Sequence, residues 1–271
     1  MPPILAFIPA RFASTRFPGK PLIDLEGKPM IQRVWERVQQ ARGMDAVYVA
    51  TDDARIATVA RSFGAGVVMT PASCPSGTDR IAAALRRLGR VPDDAIVVNV
   101  QGDEPLLPPA MVEQVVAVLR RSGASMATLA RPLAAGEYVH PASVKVLWDR
   151  RGLALYFSRA PIPHHRDRPG VQPPAGSGPG ALRLGLHVGI YAYRAGFLRR
   201  FTRQRPSALE LAEKLEQLRV LDLGERIAVG LTRLPSRAID TPADARRVRR
   251  LLAAVRPDRA ARARRGGRTA A

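Results

Sequence analysis

A cationic loop follows the first apolar run of the sequence and has the residue types that a triphosphate needs. Ile4–Ile8 is typical of a short buried strand, and the next residues carry Arg11, Arg16 and Lys20 among Ala, Ser, Thr and Gly. Small residues let backbone N–H groups approach phosphates, and the cations neutralise them. The spacing matches neither the P-loop motif nor the glycine motif of dinucleotide-binding folds. The segment is therefore either another kind of phosphate loop or a basic solvated loop beside an edge strand.

Two acidic residues stand where a divalent cation could be held. Asp103 follows Ala95–Val100, the strongest candidate for a central strand, and Asp240 follows a short apolar stretch much later in the chain. Magnesium prefers one or two carboxylates together with phosphate oxygens and water. Gly102 would let the chain pass close to a metal or a ribose. Each acid also has a simpler interpretation, because Asp103 could cap the next helix and the Asp-Thr-Pro sequence at 240–242 is a common helix start.

Two further groups of polar residues could bind small ligands. Ser76, Gly77 and Arg80 lie in a loop leading into a predicted helix, where the serine could hydrogen-bond a ligand or cap the helix. A ligand with a carboxylate and hydroxyls needs a cation beside neutral donors and acceptors. Residues of these types in later segments include Gln101, Arg159, His187, Tyr191, Glu216 and Gln217. Taken singly, a histidine on a strand is more typical of the core, and an acid and an amide on a helix are more typical of the surface.

The elements that would position these residues alternate as in a βαβ protein. In the first half, strands are predicted at 4–8, 46–50, 67–69 and 95–100, and helices at 30–41, 53–63, 78–88 and 109–121. In the second half, strands are predicted at 125–130, 144–148, 186–193 and 227–231, helices at 209–221 and 242–254, and a Pro- and Gly-rich loop at 161–180. The predicted fold is α/β, with a mostly parallel central sheet, helices on both faces and a smaller β-containing subregion. Ligands are expected at the carboxyl ends of the strands.

The organisation of the chain is simple. No linker divides residues 1–252, so we predict one domain with two halves of about 1–123 and 124–252. Residues 253–271 are predicted to be a disordered basic tail, since ten Arg lie between Arg246 and Arg268 with Asp258 as the acid among them.

Composition excludes several classes of protein. The 271 residues carry a net charge of +20, yet only 5% are aromatic and no nucleic-acid-binding motif is present, so binding to nucleic acid is not expected. No apolar run of about 18 residues exists, and the N-terminus does not resemble a signal peptide. We therefore expect a cytoplasmic protein without membrane insertion. The one cysteine, Cys74, excludes an internal disulfide framework.

A series of segments, in the same chain order, resembles the 3-deoxy-manno-octulosonate cytidylyltransferases (CMP-Kdo synthetases), a sugar nucleotidyltransferase family with a Rossmann-like fold. The resemblance covers roughly residues 4–250, and it implies a nucleotide half of about 1–123 and a sugar and dimerisation half of about 124–252. Its segments are 8–22, 49–52, 76–80, 99–105, 156–163, 187–194, 215–219 and 239–242.

The resemblance implies transfer of CMP from CTP to 3-deoxy-manno-octulosonate (Kdo), with Mg²⁺, by a homodimer that serves lipopolysaccharide biosynthesis. It implies nucleotide contacts at Ala10, Arg11, Lys20, Ser76, Gly77, Arg80 and Asp103. It makes Asp103 and Asp240 the metal ligands, with Arg11 and Lys20 completing the catalytic set. It implies sugar contacts at Gln101, Arg159, His187, Tyr191, Glu216 and Gln217. A CMP-sialate synthetase, a deoxythymidylyl-sugar enzyme and an 8-amino-Kdo substrate remain alternatives.

Overall fold

A computed structural model describes residues 1–13, 17–134, 136–173, 175–176, 181–235 and 237–255. Arg16 of the predicted phosphate loop, and the predicted tail from residue 256 onward, lie outside these residues. The described strands are Ile4–Ala10 (β1), Ala46–Thr51 (β2), Gly66–Met69 (β3), Ile96–Asn99 (β4), Met126–Arg131 (β5), Lys145–Trp148 (β6), Ala154–Ser158 (β7), Leu184–Arg194 (β8) and Ile227–Leu231 (β9). The described α-helices are Met30–Gln39 (α1), Ala54–Ser62 (α2), Gly77–Leu88 (α3), Pro109–Ser122 (α4), Ala195–Phe201 (α5), Ala208–Glu213 (α6), Gln217–Asp222 (α7) and Pro242–Val255 (α8).

The described strands form one mixed sheet. Its central path runs β3-β2-β1-β4-β8-β5-β9, with β6 paired to β8 and β7 paired to β6 at one side. The pairings of β1 with β2 and β4, of β2 with β3 and of β5 with β9 are parallel. Strand β8 runs antiparallel to β4, β5 and β6. The fold class is therefore as predicted, and β8 is the strand that departs from the parallel arrangement.

Alternation along the strands divides the core into two layers. On β1, Ile4, Ala6 and Ile8 face a layer that also contains residues of α1, α2 and α4. Leu5 and Phe7 face the other layer, with residues of α3, α5 and α7. Helices thus cover both faces of the sheet, which leaves the strand ends and their loops open for ligands.

A third apolar cluster fixes the last helix to the N-terminal part of the chain. Leu25 and Met30 pack against Ile239 and, on α8, Ala245 and Val248. The backbone N–H of Ile239 donates to the carbonyl oxygen of Asp103 at 2.9 Å. These contacts hold the segment before α8 at the end of β4, although it lies more than a hundred residues away in sequence. No described helix is long and apolar enough to span a bilayer.

The structure corrects one prediction about secondary structure and adds two elements. The predicted helix 209–221 is two helices, α6 and α7, because Lys214 has φ 53° and ψ 46°, in the left-handed region that ends a helix. Strand β7 and helix α5 were not predicted, although β7 lies within the apolar run Leu153–Phe157. The described part of the predicted 161–180 loop is free of helices and strands, apart from an isolated bridge at Ala175.

Candidate functional site

Two clefts adjoin at the carboxyl ends of the parallel strands. The first, of about 270 Å³, lies between the loop after β1, the loop before α3 and the loop after β4. The second, of about 490 Å³, lies between the ends of β4 and β7, strand β8 and the break between α6 and α7. They share four residues: Gly77, Gln101, Asp103 and Asp240. A molecule in one cleft would therefore touch a molecule in the other across this common wall.

The clefts sort the predicted site residues into two sets. All predicted nucleotide contacts line the first cleft: Ala10, Arg11, Lys20, Ser76, Gly77, Arg80 and Asp103. All predicted sugar contacts line the second cleft: Gln101, Arg159, His187, Tyr191, Glu216 and Gln217. The two predicted metal ligands lie in the wall between them.

Lys20 brings the two acids of that wall together. Its Nζ donates to Oδ2 of Asp103 at 2.8 Å and to the carbonyl oxygen of Ile239 at 2.6 Å. Oδ1 of Asp240 lies 3.6 Å from the same nitrogen. Gly19, in the left-handed conformation at φ 69°, starts the turn that aims Lys20 inward. A single positive charge is thus held between carboxylates from distant parts of the sequence.

Gly102 is needed because two strand ends meet. A Cβ added there would lie 3.0 Å from the carbonyl oxygen of Pro9. The chain after β4 therefore passes directly against the chain after β1, and this approach sets Asp103 opposite the cationic loop. The neighbour that requires glycine here is the Pro9 backbone, and the close approach to a metal or a ribose stays a prediction.

The structure also settles the two capping alternatives. Helix α4 begins after Pro108 without a side-chain cap, so the interpretation of Asp103 as its cap is wrong. At the start of α8, the backbone N–H of Asp244 donates to the Thr241 hydroxyl at 3.2 Å. Capping at this end therefore falls to Thr241, and the Asp240 carboxylate faces Lys20.

The shared wall fits a hard divalent cation. The described residues contain no group of three His, Cys, Asp or Glu side chains that could hold a metal by themselves. Two carboxylates already gather around a cation, the Lys20 ammonium. Magnesium is usually bound by one or two carboxylates plus substrate phosphates. Asp103 and Asp240 therefore suit Mg²⁺ that arrives with a triphosphate.

A hydrogen-bonded bridge connects the base side of the first cleft with the second cleft. The Ser76 hydroxyl accepts from the backbone N–H of Asp79 and so caps α3, and it lies 3.0 Å from Oε1 of Glu216. The Thr78 hydroxyl donates to Oε2 of Glu216 at 2.6 Å. Loss of water around Glu216 raises the pKa of its carboxyl, although these hydroxyls and Arg219 oppose the shift. Ser76 is both cap and cleft residue, so its two predicted roles are compatible.

Arg80 is buried in the wall of the first cleft, the one lined by the predicted nucleotide contacts. Its Nη1 donates to the Thr70 hydroxyl at 2.6 Å and its Nη2 donates to Asp52 at 3.2 Å. The side chain is 4% exposed. The guanidinium is thus fixed by protein groups, which makes it a rigid boundary of the cleft.

His187 is held as a neutral ring in the sugar cleft. Its Nε2 lies 3.1 Å from the Thr128 hydroxyl, which is also within 3.1 Å of the carbonyl oxygens of Val188 and Ile190. A hydroxyl has one proton, and carbonyls only accept. We therefore assign the Thr128 proton to a carbonyl and the Nε2 proton to His187, which leaves Nδ1 as the acceptor. Burial lowers the pKa of His187 to about 4, so the ring is uncharged at neutral pH.

Aromatic rings and an amide complete this cleft. Phe157 meets the His187 ring edge-on at 5.1 Å, and Tyr191 lies against its other side at 5.4 Å. Burial raises the pKa of the Tyr191 phenol well above its usual value, which keeps it a neutral hydroxyl. Gln217 is 4% exposed, and its Nε2 has no hydrogen-bond partner. A buried donor without a partner is unfavourable, so Gln217 is suited to an oxygen of a bound ligand.

Several residues that complete the site were missed from the sequence. Thr128 sets the tautomer of His187, and the buried Asn99 accepts from the Gln101 amide at 3.4 Å. Lys145, at the start of β6, is fully buried beside Arg159. The signal that could have found Lys145 is a charge within the apolar run Val144–Trp148.

Comparison with known proteins places the chain among sugar-activating enzymes. A family model described as cytidylyltransferase matches residues 5–227. A 3-deoxy-manno-octulosonate cytidylyltransferase of Pasteurella multocida is 50% identical over 251 residues, which cover 90% of this chain and 96% of that protein. A protein of the same name from Anaeromyxobacter sp. is 52% identical over 252 residues, covering 93% and 97% of the two chains.

Solved structures agree. A CMP:2-keto-3-deoxy-manno-octonic acid synthetase complexed with CTP superposes with a TM-score of 0.82 at 40% identity, covering 93% of this chain and 99% of that one. A cytidylyltransferase from Leptospira borgpetersenii, at 15% identity and a TM-score of 0.61, shares the fold over 95% of this chain and 89% of its own.

Proposed function

The chain belongs to the family of 3-deoxy-manno-octulosonate cytidylyltransferases, and from this premise we propose that it transfers CMP from CTP to Kdo in a reaction that requires Mg²⁺. The products are CMP-Kdo and pyrophosphate. The observation that carries the proposal is the pair of adjoining clefts, because Asp103 and Asp240 stand where the contents of the two clefts would meet.

The first cleft suits a nucleoside triphosphate. Arg11 is exposed at its rim, and Lys20 lies at its base. These cations would bind the phosphates, while Ala10 and Gly77 allow close approach of the chain. Ser76 and the backbone around it provide donors and acceptors for a pyrimidine. Arg80, fixed by Asp52 and Thr70, limits the width of the cleft.

The second cleft suits a polyhydroxylated acid. The wall of this cleft offers uncharged hydrogen-bonding groups, namely Nδ1 of His187, the Tyr191 hydroxyl and the Gln217 amide. Arg159 supplies the cation, and no carboxylate of the described residues forms an ion pair with it. A sugar carboxylate would supply the missing negative charge, with Gln101 and Glu216 available for hydroxyls.

Transfer then requires that the anomeric hydroxyl of the sugar attack the α-phosphorus of CTP as pyrophosphate leaves. Binding the two substrates in adjoining clefts makes this attack effectively intramolecular. Asp103 and Asp240 would hold Mg²⁺, and Arg11 and Lys20 would stabilise negative charge on the phosphates during transfer. When bound, the metal supplies Lewis-acid neutralisation of phosphate oxygens.

We propose, as the family resemblance implies, that the enzyme works as a cytoplasmic homodimer and that its product serves lipopolysaccharide biosynthesis. Sedimentation of the full-length protein tests the dimer, and a protomer mass of 29.4 kDa sets the scale. A sedimenting species of one protomer mass at assay concentration would refute it.

The activity is tested by release of pyrophosphate from CTP with Kdo and Mg²⁺, with and without a chelator. We expect turnover that stops on chelation and returns with added Mg²⁺. A panel of UTP, dTTP, sialic acid and 8-amino-Kdo defines the selectivity. Turnover that persists in excess chelator would contradict the metal requirement, and faster turnover with sialic acid than with Kdo would contradict the sugar.

A further inference from the structure

A fully buried lysine lies behind the sugar cleft, outside the set of residues that the proposed reaction uses. Lys145 is 0% exposed, and its Nζ donates to the backbone carbonyls of His140 at 3.2 Å, of Ser143 at 2.7 Å and of Arg159. An ammonium has three protons, and here each has one carbonyl acceptor. The group is therefore fully satisfied only while it is charged.

Lys145 and Glu213 bind the backbone of Arg159, and Glu213 also binds its side chain. Lys145 binds its carbonyl oxygen, and the Glu213 carboxylate accepts from its backbone N–H at 2.9 Å. Its Nε donates to the Glu213 carbonyl oxygen at 2.8 Å, and its Nη1 donates to the Pro141 carbonyl oxygen at 3.3 Å. Pro141 lies in the turn whose two ends Lys145 binds. Within the described residues, no acceptor is hydrogen-bonded to Nη2.

Burial of the Lys145 ammonium should lower the stability of the fold, which is unexpected for a residue with a purely structural role. Removing an ammonium from water is unfavourable, and a well-packed apolar residue is often at least as stable in such a place. Burial lowers the pKa of Lys145, and the nearby Arg159 charge acts in the same direction while Glu213 opposes it. A charge kept here at such cost indicates that the geometry around it is used.

We propose that Lys145 and Glu213 are positioning residues that fix Arg159 so that its guanidinium meets the carboxylate of the acidic sugar. This inference rests on the proposed function, since it assumes that a sugar acid occupies the second cleft. It adds a set of residues that determine specificity for an acidic over a neutral sugar without touching the sugar.

The identity of the residue supports the proposal. Almost all of the 43 basic residues of the chain are arginine, and the lysines are Lys20, Lys28, Lys145 and Lys214. Three carbonyls that converge on one point suit the compact tetrahedral ammonium, whereas a guanidinium is planar and larger. Lys145→Arg should therefore fail to restore what Lys145→Met removes.

The test is a double-mutant cycle on the full-length enzyme with Lys145→Met, Arg159→Met and the double variant. We expect Lys145→Met to raise the KM for Kdo about tenfold while the KM for CTP stays within about twofold. The reason is that Arg159 lines the second cleft and not the first. The KM of the double variant for Kdo should be no higher than that of Arg159→Met alone. With Kdo methyl ester, Lys145→Met and wild type should have the same KM.

One control variant and one further test variant make the outcome decisive. Lys28→Met removes a surface lysine paired with Glu36 and should leave both KM values unchanged. Glu213→Gln should raise the KM for Kdo without raising that for CTP. It replaces Lys145→Met in the double-mutant cycle if that variant fails to fold. Equal increases for both substrates, or additive effects with Arg159→Met, would overturn the positioning role while wild-type turnover of Kdo upholds the proposed function. A wild type that does not use Kdo would remove both.

Discussion

The two clefts of this protein recognise their ligands by different physical means. The nucleotide cleft is made of loops after β1 and β4, and its chemistry is ionic, with the Lys20 ammonium between two carboxylates. The sugar cleft is made of side chains from β8, the end of β7 and the break between α6 and α7. Its histidine and tyrosine are held uncharged by burial. The first cleft therefore suits a polyanion bound by opposite charge, and the second suits a hydroxylated ring bound by fixed neutral groups with one cation.

The difference shows which kind of site the edge of a parallel sheet forms from its loops alone, without buried partners to fix the side chains. Parallel strands bring their loops together, so a cationic loop and an acid at neighbouring strand ends meet as a consequence of the fold. The antiparallel strand β8 supplies instead a row of side chains, and those need buried partners such as Thr128 to fix them.

The wall shared by both clefts should be the most sensitive position. Asp103→Asn should lower kcat roughly 100- to 1000-fold, by analogy with loss of one transition-state contact, and leave the thermal unfolding midpoint close to that of wild type. The measurement is pyrophosphate release at saturating CTP and Kdo. Asp222→Asn, on the exposed end of α7, is the control. Wild-type turnover in Asp103→Asn would refute the metal site.

A matched pair of arginine variants separates the clefts. Arg11→Met should raise the KM for CTP and Arg159→Met the KM for Kdo, each by about 10- to 100-fold, because hydrogen bonds to charged groups contribute about 1.5–3 kcal/mol. Steady-state kinetics with each substrate varied in turn gives both constants. If either variant raised the two KM values equally, the division into two separate recognition surfaces would be wrong.

A single methyl group should have a smaller, local effect on the sugar cleft. A Cβ at Gly189 would have Gln101 Cγ as its nearest neighbour at 3.7 Å, an ordinary contact, so Gly189→Ala should fold normally. The methyl enters the sugar cleft and should raise the KM for Kdo roughly three- to tenfold without changing that for CTP. Gly185→Ala, whose Cβ would lie 2.8 Å from the Arg131 carbonyl oxygen, should instead lower the unfolding midpoint.

The last effect concerns pH and the neutral state of His187. Its folded pKa of about 4 lies below the ordinary value of 6.5, so between these values the unfolded chain binds a proton that the folded protein excludes. Stability from this residue is therefore complete above pH 6.5 and is lost as pH falls toward 4. Urea titrations at pH 7 and 4.5 should show a larger loss for wild type than for His187→Gln, by on the order of 2 kcal/mol. His140→Gln is the control, and identical losses in wild type and His187→Gln would contradict the burial of this ring.

The sequence predicted well which residues gather in the first cleft, because they follow apolar runs whose ends a parallel sheet brings together. Gly102-Asp103 after β4 and the Lys20 loop after β1 are examples, and they now lie in contact. The fold class followed from the same alternation of strands and helices.

The sugar cleft was predicted mainly through family resemblance, and its supporting contacts were not. The left-handed Lys214 that divides α6 from α7 places Glu216 and Gln217 at a helix start, and a non-glycine residue gives no local sign of this conformation. The partners of Lys145 are backbone carbonyls, which every residue has, so no side-chain pattern reports them. Their proximity follows from tertiary packing alone.

The ammonium of Lys20 acts as an internal counter-ion for Asp103 and Asp240. Free metal ions must compete with a tethered charge that never leaves the protein, so the acids should not collect divalent ions from the medium. We expect a triphosphate to reverse that competition, because its oxygens would attract the lysine and would also serve as ligands for the metal. Titration of Mg²⁺ into the protein alone should therefore give little heat, and the same titration with a non-hydrolysable CTP analogue should saturate.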